Sequence, residues 1–193
     1  PFVVIGAGAV AARKVKTLLQ AGANVTVIAP IIHDDIQAVA AQLNLQMRAV
    51  DANETFLPNQ FVVLTTPDAE LNSVLAERAR AAGCLVCRAD DSSNNDFIFP
   101  AIIDRSPLMV TVSTNGASPA LTRHVRQRLE AFLPQDYRIL GQYAERLREC
   151  VKALFDGKQR VVFWRRWMAS MAPELILGRQ IEKADAFTQQ IIA

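Results

Sequence analysis

Gly6-Ala7-Gly8-Ala9-Val10-Ala11 fits the pattern G-x-G-x-x-G/A, and its flanks constrain the fold more than the motif alone does. Before it runs Phe2-Val3-Val4-Ile5, apolar without alternation, as a strand buried on both faces reads. After it, Ala11, Val15, Leu18 and Leu19 share a helical stripe that stops at Gly22. A strand, a glycine turn and a helix in that order open a parallel α/β sheet. Each small residue then has a purpose. Gly6 makes the tight turn, Gly8 lets the backbone approach a pyrophosphate, and Ala11 lets helix and strand pack closely. The helix N-terminus beginning at Ala9 and Val10 supplies amide donors and a positive dipole end. Nucleotide binding is the expected role, with a purely structural turn as the alternative.

The following residues keep the same rhythm. Asn24 to Ile28 reads as a second strand closed by Ala29-Pro30, Asp34 to Leu43 as a helix, and Gln46 to Val50 as a short strand. Phe61 to Leu64 is another buried strand, running into Thr65-Thr66-Pro67-Asp68. Asp68 is the expected N-cap of a helix through Ala82, and Gly83 separates that helix from a strand over Cys84 to Arg88. Near residue 97 the alternation ends. Residues 97–103 and 108–112 are apolar runs separated by Asp104-Arg105-Ser106-Pro107, which is turn chemistry for an antiparallel pair. Ser118-Pro119 starts a helix to about Leu133, and from Asp136 onward the pattern is only helical. The expected fold is therefore a Rossmann-type α/β domain over 1–97, a small β/α region over 98–133, and a helical domain over 134–193. The apolar runs exceed what a two-stranded ribbon can bury alone, so the middle region is expected to form a homodimer.

Composition narrows the classes of function. No apolar run approaches the roughly 18 residues that cross a bilayer, so no membrane partner is expected. The chain opens directly in a strand, and three cysteines are too few for a disulfide framework, so a reducing, cytoplasmic setting without a leader is expected. Residues 1–100 hold 7 Lys/Arg and 10 Asp/Glu (net −3), whereas 101–193 hold 14 and 9 (net +5). That asymmetry marks either ordinary solvated helix faces or a segment that meets an anionic partner, and nucleic acid fits less well as that partner because aromatic residues do not interleave with the basic ones.

Several groups could carry chemistry. The acid expected about 20 residues after the glycine turn to bind a ribose is replaced by Ala29-Pro30, and no Arg stands there for a 2′-phosphate, so NAD and NADP both remain open. Thr65-Thr66 lies at the ligand-binding edge of the sheet or simply caps the next helix. Asp90 and Asp91 follow the strand over 84–88 at the same edge. Either is a general acid/base, with a pKa raised beneath an apolar substrate, or an ordinary turn aspartate. Cys84 and Cys87 point to opposite faces of one strand and read as packing residues; neither they nor His33 and His124 have metal-ligand spacing, and no metal site is expected. Arg123, His124, Arg126 and Arg128 crowd the helix after Ser118, behind a turn rich in hydroxyls and amides, where a polycarboxylate would fit.

Three blocks, Val4 to Lys14, Phe97 to Leu108, and Gly116-Ala117-Ser118-Pro119, together resemble the siroheme synthase family in its precorrin-2 dehydrogenase/sirohydrochlorin ferrochelatase module. The resemblance spans essentially the whole chain and implies a Rossmann domain, a dimerisation region and a helical domain in that order. It implies NAD-dependent dehydrogenation of precorrin-2 to sirohydrochlorin, then insertion of ferrous iron as a substrate. The family's catalytic aspartate falls on Asp90. Its NAD contacts fall on the first turn (Gly6, Gly8, Ala9, Val10), on Ala29 and Pro30, and on Thr65 and Thr66. Asn95, Arg123 and Arg126 are the candidate substrate ligands. The family's C-terminal uroporphyrinogen methyltransferase module would lie beyond residue 193. Two departures stand out. Thr114 and Asn115 occupy a family Ser-Gly pair, making Thr114 the candidate phosphorylation site, and Arg88 stands two residues before Asp90, where it would lower the aspartate's pKa if it pointed inward. The alternatives are a non-catalytic NAD-sensing regulatory module, which would need the glycine turn but not Asp90, and a Rossmann oxidoreductase with a reactive Cys84 or Cys87.

Overall fold

A computed structural model describes residues 1–192. The chain divides into two units, one of residues 1–99 with 115–117, the other of residues 100–114 with 118 onward.

The first unit is a five-stranded, all-parallel sheet in the order β3-β2-β1-β4-β5. Its strands are β1 (Phe2–Ile5), β2 (Val25–Ala29), β3 (Asn44–Met47), β4 (Phe61–Leu64) and β5 (Leu85–Arg88). Helix α1 (Ala9–Gln20) links β1 to β2, α2 (Asp34–Gln37) lies between β2 and β3, and α3 (Ala69–Ala81) links β4 to β5. The strands are apolar on both sides because both faces are covered. Val4, Val25, Val27 and Val63 pack with Ala11, Val15 and Leu18 of α1, while Val3, Ile5, Val62 and Leu64 pack with Leu75, Ala76 and Ala79 of α3. Each fully buried large aliphatic side chain contributes about 1.5–3 kcal/mol of transfer free energy. Strand order reverses between β1 and β4, and a sheet of this kind binds its ligand at that point, beyond the carboxyl ends of the strands.

Three sequence expectations need correction. The helix over 34–43 is only α2 followed by a single 3₁₀ turn at 40–42, and Ile36 is the only fully buried residue across these pieces. One anchor does not hold a longer helix, whose stability in a protein comes mainly from packing. The strand expected at 46–50 instead pairs over Asn44–Met47, because Arg48 turns away to Glu54. The apolar run at 97–103 is also split. Phe97 lies edge-on to Phe2 and Phe61, and Phe99 carries the Lys14 ammonium 4.1 Å from its ring centroid. The antiparallel ribbon begins only after Pro100, which has no N–H to give a ladder.

In the second unit, β6 (Ala101–Arg105) and β7 (Leu108–Val112) form that ribbon, packed by α4 (Pro119–Phe132) and α5 (Tyr137–Leu154). Helices α6 (Gly157–Met168), α7 (Ala172–Leu177) and α8 (Ile181–Ile192) complete it. Trp167 is fully buried among Tyr143, Phe163 and Ile176; its indole N–H donates to Thr188 at 2.9 Å, as does the Tyr143 hydroxyl at 3.2 Å. No helix among the described residues is long and apolar enough to cross a membrane.

Candidate active site

The glycine turn is built by steric necessity. Gly6 has φ +94°, and a Cβ there would stand 2.7 Å from Thr65 Oγ1 and 2.9 Å from the Thr65 carbonyl carbon. Only glycine allows β1 to turn so close to the end of β4. Thr65 closes the contact, donating its hydroxyl to the Ile5 carbonyl at 2.9 Å and its backbone N–H to the same oxygen at 2.8 Å. Gly8 is the N-cap of α1 and makes no side-chain cap, and a Cβ on it would meet no atom within 4 Å. The first-turn amides of Ala9, Val10 and Ala11 therefore face an open cradle at the positive end of the helix, the arrangement that receives a pyrophosphate. The structure thus fits a dinucleotide. Val10, 40% exposed, lies in the first turn of α1 beside this cradle.

Ala29 ends β2 and Pro30 follows it, with the His33 N–H tied back to the Ala7 carbonyl at 2.9 Å. The sequence shows no Arg at this place, yet the fold brings one. Arg48, at the end of the neighbouring strand, donates its backbone N–H to the Ala29 carbonyl at 3.2 Å. Its guanidinium is committed to a bidentate pair with Glu54 at 2.7 and 2.6 Å, which raises its pKa.

At the end of β5, Arg88 and Asp90 form the most charged part of this edge. The Arg88 guanidinium donates to both Asp90 carboxylate oxygens, at 3.3 and 2.7 Å, and lies 3.9 Å from Asp91. The two paired side chains are only 12% and 26% exposed. The Arg88 hydrogen bond, with a smaller one from Asn72, holds the Asp90 carboxyl below the usual carboxylate range. This reverses the raised pKa expected for a base beneath an apolar substrate, because a guanidinium supplies the neighbouring charge. Asp91 is lowered as well, chiefly by the Ser93 hydroxyl and backbone.

Asn72 escapes a reading of the sequence. It is fully buried at the start of α3, donates to the Thr66 carbonyl at 3.0 Å and accepts from the Thr66 hydroxyl at 2.7 Å. It thus links the end of β4 to Asp90. Its signal is a polar residue on the stripe that carries Leu75, Ala76 and Ala79. Asp68 is the N-cap of α3, accepting from the Leu71 N–H at 2.9 Å.

The remaining candidates are placed as follows. Asn95 uses its amide on the Arg88 backbone, accepting from the N–H at 2.6 Å and donating to the carbonyl at 3.1 Å, so it straps the loop to β5. Asp96 continues this strap on the Val86 N–H and Arg80. Arg123 and Arg126 lie on α4 in the second unit, Arg126 pairing with Glu130 at 3.1 Å. The Thr114 hydroxyl is engaged with Ser118 and Thr122 at the start of α4. Cys84 and Cys87 are both buried, and burial pushes the Cys87 thiol up, away from nucleophilic character. Among the described residues no cluster of three or more His, Cys, Asp or Glu could hold a metal ion.

The doubly covered parallel sheet, with an open glycine turn at its switch point, defines a Rossmann-type dinucleotide-binding fold. A family model described as "Putative NAD(P)-binding" matches residues 1–101, "Sirohaem biosynthesis protein central" matches 105–131, and "Sirohaem synthase dimerisation region" matches 136–192. The chain belongs to the siroheme synthase family. It is 41% identical to the siroheme synthase of Nitrosococcus oceani over 94% of this chain and 39% of that protein, and 37% identical to that of Pseudoalteromonas atlantica over 98% and 42%. It therefore spans about two fifths of these relatives. The solved structure of SirC, precorrin-2 dehydrogenase, superposes with a TM-score of 0.71 at 25% identity, covering 98% of this chain and 92% of that one.

Proposed function

We propose that this chain oxidises precorrin-2 to sirohydrochlorin with NAD and then inserts ferrous iron, as a substrate, into the product. The observation that carries this reading is an ionised carboxylate, Asp90, fixed at the same sheet edge as the open glycine turn. NAD, when bound, supplies the hydride acceptor. The amides beyond Gly8, at Ala9 and Val10, would hold its pyrophosphate, and Ala29 and Pro30 would border its ribose. Thr65 and Thr66 line the switch point. NAD is favoured over NADP because Arg48, whose backbone N–H the fold brings to the Ala29 carbonyl, has its guanidinium already paired with Glu54.

Oxidation takes a hydride and a proton from the tetrapyrrole, and Asp90 accepts the proton. Iron insertion then releases the two inner N–H protons of the macrocycle, to the same carboxylate or to water. The working form is a homodimer in the cytoplasm, and the longer relatives suggest a methyltransferase module in the complete protein. The names of the relatives and of the structural neighbour give no support to a regulatory, non-catalytic role.

Asp90→Asn tests the assignment, since it keeps size and polarity but cannot take the proton. Dehydrogenation should fall by roughly 10²–10⁴-fold while NAD affinity holds. Chelation of supplied sirohydrochlorin should fall less. Wild-type dehydrogenation in Asp90→Asn together with its loss in Asp91→Asn or Asp104→Asn would move the base elsewhere.

A further inference from the structure

We propose that Arg88 is a positioning residue that fixes the orientation and the ionised form of the Asp90 carboxylate, a role that rests on the function proposed above. The geometry carries it. Two residues apart, across the bend that follows β5, the side chains meet through two nitrogen–oxygen contacts of 3.3 and 2.7 Å, and such forked pairing fixes the plane of a carboxylate as well as its charge.

Arg88 is itself held from three directions. Asn95 brackets its backbone on both the N–H and the carbonyl side, and its guanidinium donates to the Ala69 carbonyl at 3.4 Å. Asp91 lies 3.9 Å away on the loop. Ala69 opens α3, where the helix dipole disfavours a cation, so the placement is explained by its anionic partners rather than by the helix. The groups facing Asp90 are Arg88 from β5, Asp91 from its own loop and the neutral Asn72 amide from α3. Arg88 is the cation among them. Both Arg88 and Asp90 lie at the carboxyl edge of the sheet, where their partial burial already costs some desolvation that the forked pairing offsets, and the pair strengthens when substrate excludes water.

Charge and orientation can be separated by substitution. Arg88→Lys keeps a cation without the fork, and Arg88→Gln removes the charge but keeps a donor. The pH profile of precorrin-2 dehydrogenation and the ¹³C carboxyl titration of Asp90 are read for each, with NAD affinity as the control. Arg88→Gln should move both the acidic limb and the Asp90 titration upward, and kcat should fall by about 10–100-fold from misplacement of the base. Arg88→Lys should leave the titration low yet still lose part of kcat. NAD affinity should not change in either. An unmoved Asp90 titration and wild-type kcat in Arg88→Gln would overturn the role of Arg88. Wild-type turnover in Asp90→Asn would instead overturn the assignment of Asp90 as the base, and no turnover of precorrin-2 by the wild-type chain would overturn the function on which both rest.

Discussion

Gly8 shows how far one residue's surroundings define a ligand. Among the described residues other than its chain neighbours, none stands within 4 Å of where its Cβ would be, and the helix behind it lacks a side-chain cap. Gly8→Asp should therefore fold normally and lose NAD affinity by tenfold or more, since a carboxylate would fill the pyrophosphate cradle and repel it. Calorimetric titration of the folded variant checks this, and unchanged affinity would remove the cofactor assignment. Asp90 has a pH signature of its own. Its pKa is depressed in the fold, so the Arg88 pair contributes its full stabilisation above the ordinary aspartate range. That contribution disappears only as pH falls through the lower folded value. The proposed base therefore stays ionised across the neutral and mildly acidic range. Gly6, Gly8 and Asp90 were legible in the sequence because a turn and a strand end fix their backbone. The direction of the Arg88 side chain and the reach of Asn72 were not, since both depend on how α3 lies against β5.

At the scale of elements, periodicity gave β1, α1, β4, α3 and β5 nearly to the residue, because each is buried on one stripe or on both faces. It failed over 34–50, where burial is thin and no pattern holds the chain to one register. It also joined Phe97 and Phe99 to a strand, although aromatic contacts with Phe2 and Phe61 claim Phe97 first. In the second unit α4 has no buried residue, and Leu121 and Phe132 are 51% and 74% exposed. An amphipathic helix with an uncovered apolar side beside a two-stranded ribbon needs a partner. A homodimer is expected, with a mass by light scattering of twice 21.2 kDa at micromolar concentration. Leu121→Asp combined with Phe132→Asp should shift it to monomer, and a monomeric wild-type chain would contradict the assembly.

At the scale of the whole molecule, a net −3 half carries the dinucleotide fold and a net +5 half follows it. The basic half suits a substrate with many carboxylates, while the proposed dinucleotide site offers backbone amides and a helix end rather than side-chain cations. The family blocks were legible across the chain because turns, strand ends and caps are local. The ion pairing of Arg48 and Arg88 was not, because it depends on neighbouring strands and loops. Siroheme synthesis through NAD-dependent oxidation is the central claim. It is tested most directly by mixing the purified chain with precorrin-2 and NAD and following the absorption spectrum. Appearance of the sirohydrochlorin spectrum, with one NADH formed per macrocycle, is the predicted result. A folded, NAD-binding chain that leaves precorrin-2 unchanged would contradict it.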